Sequence, residues 1–149
     1  MTKERSQLNK KQYVLAIDTT EADTGIGLAG EGKIKIDTWV SQRNQSKELL
    51  PRIDRLLRST KIKPEQLTQV AVNLGPGSFT GLRIGISIAN AFGYALKIPV
   101  AGKSQVTGDI KERVEQLLSL KARSNKFKPA LPTYGREPRI TQAKKKRYN

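Results

Sequence analysis

The order of the apolar runs between residues 13 and 104 limits the possible folds more than any other feature of this sequence. Residues 13–17, YVLAI, form an uninterrupted apolar run that predicts a buried strand ending at Asp18. In residues 24–30 and 33–40, apolar residues alternate with small or polar ones on either side of a turn. Three successive antiparallel strands are therefore predicted at the start of the domain.

Helices and strands alternate after the third strand. Leucine and isoleucine recur along one stripe of residues 46–59, which is the period of an amphipathic helix. The sequence then predicts a buried strand at 69–74, a helix at 79–96 and a short strand at 98–102. The resulting order, βββαβαβ, adds parallel strands through right-handed crossovers. It is the plan of an α/β ribonuclease H-like domain, the half-molecule of actin-like (ASKHA) ATPases, with a mixed sheet flanked by helices.

The net charge of +15 comes mostly from the two ends of the chain. Residues 1–12 carry +3 and residues 121–149 carry +9, whereas residues 13–120 carry only +3. We expect a basic, disordered N-terminal tail over 1–12, one domain over 13–120, and a basic, extended C-terminal tail over 121–149. A basic tail can bind the phosphates of a nucleic acid or can be a solvated end, and charge alone does not choose between the two.

The amino-acid composition excludes several kinds of chemistry. The chain has no cysteine and no histidine, so thiolate catalysis, disulfides, imidazole metal ligands and Ser-His catalytic pairs are unavailable to it. No run of residues has the length and apolarity of a signal peptide or a membrane span. We expect a cytoplasmic protein without membrane contact, and the lack of cysteine fits a reducing compartment.

Asp18 occupies a position where kinases and ATPases of this fold class hold phosphate and metal. It ends the first strand and is followed by Thr19 and Thr20; a nucleotide site would combine these with the glycine-rich turn that contains Gly77 and Ser78. The alternative is an aspartate that accepts hydrogen bonds from turn amides. The turn matches neither common phosphate-loop pattern, and the chain has too few convergent carboxylates for a two-metal site. No residue is therefore assigned to catalysis or to a metal.

Small residues recur every four positions along the second predicted helix, at Gly81, Gly85, Ala89 and Gly93. A glycine inside a helix costs roughly 1 kcal/mol relative to alanine, so close approach by a neighbouring element is the physical reason to expect several of them. Two interpretations remain open. Either the small face packs against the protein's own first helix, or the two helices together present a surface to another protein, which the nearly complete apolar girdle of the second helix favours.

Four stretches of the sequence resemble the TsaB/YeaZ family, the dimerization subunits of the bacterial complex that makes threonylcarbamoyladenosine in tRNA. They are LAIDTTEADTGIGLA, SKELLPRIDRLL, QVAVNLGPGSFTGLRIGISIANAFGYALKIPVAG and LPTYGREP. The resemblance implies a ribonuclease H-like fold, no enzymatic role, no cofactor of its own, and pairing with the homologous catalytic subunit TsaD. The complex would use ATP and threonylcarbamoyl-AMP, would include the ATPase TsaE, and would modify the adenosine next to the anticodon of tRNA.

The same resemblance assigns the partner surface to the faces of two helices. The residues implied are Leu49, Leu50 and Ile53 on the first helix and Gly81, Ile84, Gly85, Ile88, Ala89 and Phe92 on the second. A homodimer through this surface is expected when the catalytic subunit is absent. The alternatives are a nucleotide- or phosphate-binding enzyme of the actin-like superfamily and a basic accessory protein that binds tRNA.

The chain departs from the family pattern in two places. Gln45, Ser46 and Lys47 stand where the family has His-Ser-Glu, and only residues 102–131 span the place of a second domain of similar size. We therefore expect a reduced remnant of the second domain from residue 103 onward, with an amphipathic helix at 109–120. The departure bears on any function that needs the second domain, such as docking of the ATPase.

Overall fold

The described part of the computed structural model is residues 11–134. Residues 1–10 of the predicted N-terminal tail and residues 135–149 of the predicted C-terminal tail lie outside it. Five strands are present in this part: β1 (Tyr13–Asp18), β2 (Asp23–Gly30), β3 (Lys33–Val40), β4 (Gln69–Gly75) and β5 (Val100–Ser104). They form one sheet in the spatial order β3-β2-β1-β4-β5.

Within residues 11–134, three helices connect or follow these strands. They are α1 (Gln45–Thr60), α2 (Phe79–Leu96) and α3 (Ile110–Leu118), and a short 3₁₀ turn at Pro64–Gln66 precedes β4. The first three strands pair antiparallel, whereas β4 pairs parallel with β1 and β5 pairs parallel with β4. The predicted order of elements, βββαβαβ, is confirmed.

The alternation of side chains along β1 divides the core into two layers. Leu15 and Ile17 point to the face that α1 and α2 cover, and both are fully buried there. Ala16 points to the opposite face, where it packs with Val114 and Leu117 of α3. The sheet is therefore covered on both sides, which explains why β1 and β4 are apolar without a polar face.

Helix α3 comes from the segment that the sequence assigned to a remnant of a second domain. It packs directly on β1 and β2, and small residues, Ala16 and Ala71, lie beneath it. In the described residues, this segment therefore contributes the third layer of the same domain. As a result, α3 places Arg113 at the end of β1.

One boundary differs from the sequence prediction, and one helix contains a proline. The last strand begins at Val100 instead of residue 98, because Ile98 closes the end of α2 by donating its amide to the Gly93 carbonyl and is buried in the core. Helix α1 begins at Gln45, so Pro51 lies within the helix. Pro51 has no amide to donate to the carbonyl of Lys47, and because both residues are exposed, water can bond to that carbonyl instead.

Among the helices of residues 11–134, none combines the length and the apolarity needed to cross a membrane.

Candidate functional site

Asp18 lies at the end of β1, and its side chain is completely buried. Its Oδ1 accepts hydrogen bonds from the Thr20 amide at 3.1 Å and the Thr20 hydroxyl at 2.8 Å. Its Oδ2 accepts from Asn73 Nδ2 at 2.8 Å and from Arg113 Nε at 3.1 Å. Four donors from three separate parts of the chain thus surround one carboxylate. Asp18 ties the ends of β1 and β4 to α3.

Arg113 is the partner that the sequence reading missed. Its side chain is only 7% exposed and pairs with Asp18 and with Glu21, whose Oε2 lies 3.0 Å from Nη1. The same guanidinium donates to the carbonyl of Gly108 at 2.8 Å. A signal was available, because Arg113 lies three residues after Ile110 and one before Val114, on the apolar stripe of the predicted helix. A buried charge needs an opposite charge, and Asp18 supplies it.

The other residues of the candidate phosphate corner lie where the sequence placed them, but they bond to one another. The Ser78 amide donates to the Thr20 carbonyl at 2.6 Å, and the Thr19 hydroxyl donates to the Gly81 carbonyl at 2.5 Å. An alanine Cβ at Gly77 would lie 2.6 Å from Thr20 Cβ, so the turn is pressed against this threonine. Within residues 11–134 every buried polar side-chain atom has a partner, and no group of acidic residues could hold a metal ion. The geometry of the corner favours the alternative of an aspartate satisfied by the fold.

The row of small residues on α2 faces inward. A Cβ at Gly85 would collide with the Thr19 hydroxyl, and one at Gly81 would collide with the Thr19 carbonyl and lie 2.6 Å from Gln45 Oε1. Ala89 is fully buried in the core. The small residues therefore allow α2 to approach the end of β1 closely. The assignment of Gly81, Gly85 and Ala89 to an exposed partner surface is corrected by this packing.

Two residues of α1 need the same correction. Leu49 and Ile53 are 0% and 1% exposed and belong to the core beneath α1, because the helix turns its apolar stripe toward the sheet. Gln45 also turns inward, and its Nε2 donates to the Glu21 carbonyl at 3.0 Å and to Thr24 Oγ1 at 2.9 Å. Of the nine residues implied as a partner surface, the four that retain accessible surface are Leu50, Ile84, Ile88 and Phe92.

These accessible residues form part of what we call the outer face, which comprises Ser46, Leu50, Phe79, Thr80, Arg83, Ile84, Ser87, Ile88 and Phe92. An open groove of about 450 Å³ runs along it and is lined by α2 and by Ser46 of α1. Leu50, one turn after Ser46, is 52% exposed, and Phe79 is 56% exposed. Arg83 is the only charged residue of the outer face, and its guanidinium lies 5.1 Å from the centre of the Phe79 ring. The residues that line the groove thus include a single charge, whereas Leu50 has the exposed Lys47 and Asp54 three residues before it and four residues after it on α1.

Residues 39–118, more than half of the chain, match the model of the family described as TsaD: tRNA N6-adenosine threonylcarbamoyltransferase. The protein named tRNA threonylcarbamoyladenosine biosynthesis protein TsaB in Bacillus subtilis is 34% identical over 95 residues, which is 62% of this chain and 41% of that protein. The TsaB protein of Escherichia coli is 31% identical over 91 residues, or 61% of this chain and 39% of that protein. The chain belongs to the TsaB/YeaZ family.

Structure comparison agrees with this TsaB/YeaZ membership. The chain is similar to YeaZ from Pseudomonas aeruginosa, with a TM-score of 0.62 at 30% identity over 64% of this chain and 45% of that chain. The predicted fold, an actin-like α/β half-domain, is confirmed. The names of the TsaB relatives link the family to the biosynthesis of threonylcarbamoyladenosine in tRNA. The chain spans about two-fifths of the length of these curated relatives.

Proposed function

We propose that the chain is a non-catalytic subunit that binds a TsaD-like catalytic subunit through its outer face, in the pathway to threonylcarbamoyladenosine in tRNA. The observation that carries the proposal is the outer face itself, which exposes apolar side chains and a single charge. Burying the remaining exposed half of Leu50 or Phe79 is worth about 1 kcal/mol for each side chain. Together with the half-buried isoleucines, the outer face offers several kcal/mol to a partner of complementary shape.

The kinship between this chain and the catalytic subunits supports a pairing of equivalent faces. The family model that matches residues 39–118, which include α1 and α2, is described as that of the transferase TsaD. A tRNA N6-adenosine threonylcarbamoyltransferase of Thermus thermophilus is 30% identical over 114 residues. Two related subunits that present the same helix pair can associate about a pseudo-two-fold axis, as identical subunits do about a true one. The same geometry would permit a homodimer when the partner is absent.

The hydrogen bonding of Asp18 supports a subunit without catalysis of its own. Its carboxylate is used by Thr20, Asn73 and Arg113, and the chain has no histidine or cysteine that could act as a base or nucleophile. These observations favour the accessory role over the alternative of a nucleotide- or phosphate-binding enzyme. The ATP and threonylcarbamoyl-AMP of the reaction would then be bound elsewhere in the complex.

The remaining partners are inferred from the resemblance to the family. They are a TsaE-like ATPase and tRNA, in a complex that works in the cytoplasm.

The test is co-purification of the full chain with the TsaD-like subunit of the same genome. Leu50→Asp places a charge on the outer face, and Ser87→Arg fills the groove; both side chains are exposed, so both variants should fold with an unchanged circular dichroism spectrum. Each variant should lose the complex. Ile34→Asp is the matched control, since Ile34 on β3 is 59% exposed and lies away from the outer face. Retention of the complex by both variants would show that the outer face is not the interface.

A further inference from the structure

A basic stretch of chain, residues 121–128, is held in place along one side of the domain. We call it the basic segment; it contains Lys121, Arg123, Lys126 and Lys128 and no acidic residue. The buried side chain of Gln69 fixes its beginning by donating to the Leu120 carbonyl at 2.8 Å and accepting from the Ala122 amide at 3.0 Å. These bonds fix the backbone at the start of the basic segment.

A second side-chain amide fixes the chain just beyond the basic segment. Asn90 of α2 donates to the Ala130 carbonyl at 3.0 Å and accepts from the Ala130 amide at 2.8 Å. Between the two anchors, Phe127 packs against Gly93, where an alanine Cβ would lie only 2.7 Å from the ring. The segment bends at residues 123–126 and is fixed near its beginning, at Phe127 and just beyond its end.

Two hollows border the basic segment. One, of about 330 Å³, lies between the segment and edge strand β5 and is lined by all four of its cationic residues. The other, of about 530 Å³, lies at the end of α2 and is lined by Tyr94, Phe127, Lys97 and Lys126 among others. Lys126 lines both, so the hollows adjoin. In residues 11–134 no acidic side chain lines either hollow, and no ion pair involves these cations.

An exposed aromatic ring accompanies the charges. Tyr94 is 75% exposed, and its ring meets Phe127 edge-on with the centroids 6.0 Å apart. This edge contact holds the Tyr94 ring against Phe127, and most of the Tyr94 side chain stays exposed for stacking. Such a ring offers a stacking platform for a nucleobase, and neighbouring lysine and arginine side chains can bind the phosphates on either side of it.

We propose that the two hollows form a binding surface for a single-stranded segment of RNA, with phosphates on Arg123, Lys126 and Lys128 and a base stacked on Tyr94. The charge favours a polyanion, and the exposed ring favours a strand whose bases are unpaired, because a duplex keeps its bases stacked inside. The choice of RNA over DNA rests on the proposed function, whereas the positions of the basic segment and of the exposed ring are observed in the structure independently of it.

The proposed RNA surface shares no lining residue with the groove of the outer face. That groove is lined by residues between Phe79 and Ile88 of α2, whereas Tyr94 and Lys97 lie at the end of the helix, beyond Phe92, the last residue of the outer face. A partner seated in the groove would therefore leave the basic segment accessible. The two proposals can fail independently.

Fluorescence anisotropy with a labelled 12-nucleotide oligo(U) tests the RNA surface on the full chain. The triple variant Arg123→Gln, Lys126→Gln, Lys128→Gln should weaken binding by tenfold or more, on the order of 100-fold at 0.1 M salt if all three contact phosphates. It should also reduce the slope of log K against log salt by about 2. Tyr94→Ala should weaken oligo(U) binding roughly fivefold or more and should have little effect on a 12-base-pair RNA duplex.

The matched control removes the same charge from the other side of the molecule. Lys33, Lys35 and Lys61 border a hollow between the β2–β3 hairpin and the end of α1, and their triple change to Gln should alter affinity far less than the basic-segment variant. Equal losses in the two triple variants would mean that only total charge matters and would overturn the proposal, as would an unchanged affinity in Tyr94→Ala. Co-purification of the basic-segment variant with the TsaD-like subunit should be normal, which separates this test from that of the outer face.

Discussion

Replacing Gly85 by alanine distinguishes inward packing of α2 from an exposed surface by the sign of the change in stability. On an exposed helix face, Gly→Ala stabilises by roughly 1 kcal/mol through helix propensity. At Gly85 the new methyl group would collide with the Thr19 hydroxyl and lie 3.3 Å from Thr19 Cβ and Cγ2. Overpacking of this kind costs about 1–3 kcal/mol. Displacing the Thr19 hydroxyl would also weaken its 2.5 Å hydrogen bond to the Gly81 carbonyl, worth about 0.5–1.5 kcal/mol.

We therefore expect Gly85→Ala to lower the free energy of unfolding by about 1–3 kcal/mol, measured by urea denaturation. In a Thr19→Ala background the hydroxyl is gone, so the same substitution should be neutral or stabilising by up to about 1 kcal/mol. The double-mutant cycle should thus show a coupling of about 2 kcal/mol between two residues 66 positions apart in sequence. Exposed Ser87→Ala, on the same helix, is the control and should be slightly stabilising. A stabilising Gly85→Ala in the otherwise unchanged protein, or a coupling near zero, would refute the inward packing.

Two further predictions concern charged residues. Arg113→Met should lower the free energy of unfolding by about 3–5 kcal/mol in urea denaturation, because it leaves Asp18 buried without its cation. A loss below about 1 kcal/mol would contradict the conclusion that the Asp18–Arg113 pair stabilises the fold. The hydrogen bond and charge of Lys11, followed by the Tyr13 hydroxyl, hold the pKa of Glu31 below its ordinary value of 4.5. Because the pKa of Glu31 is lower in the folded state, this carboxylate contributes stability at pH values above 4.5, and the contribution is lost as the pH falls through the folded-state pKa. NMR titration of the Glu31 carboxyl should give a pKa below 4.5, and Lys11→Ala should raise that pKa. An unchanged pKa in the variant would contradict the pairing of Lys11 with Glu31.

Much of the fold was predictable because local patterns carry it. The alternation of β2 and β3, the apolar runs of β1 and β4 and the stripe of α1 correspond to the observed elements, and the bounds of α2 agree with the predicted helix at 79–96. The predicted start of the last strand was wrong because a residue there can belong to either of two neighbouring elements. Ile98 suits a strand by its branching, yet it closes α2 instead, since its amide is taken by the Gly93 carbonyl.

The candidate sites were less predictable because each depends on contacts between distant residues. The sequence marked Asp18 as notable, but its role depends on Arg113, which lies 95 positions away and reaches it only because α3 packs on the second face of the sheet. The glycine row of α2 was marked as well. Because the helix is apolar over most of its circumference, periodicity alone could not decide whether the small residues or the isoleucines faced outward.

By itself, the sequence determined the class of the domain, the location of its strands and helices, and the absence of histidine and cysteine chemistry. These properties depend on residue type and on spacing over a few turns or strand repeats. Tertiary structure decided that Thr19 packs against Gly81 and Gly85, that Ile84 and Ile88 remain at the surface, and that Gln69 and Asn90 hold a basic segment beside Tyr94. The physical reason is that an apolar or charged residue shows only that it needs a partner, whereas the packing of the sheet and its helices determines which partner it meets.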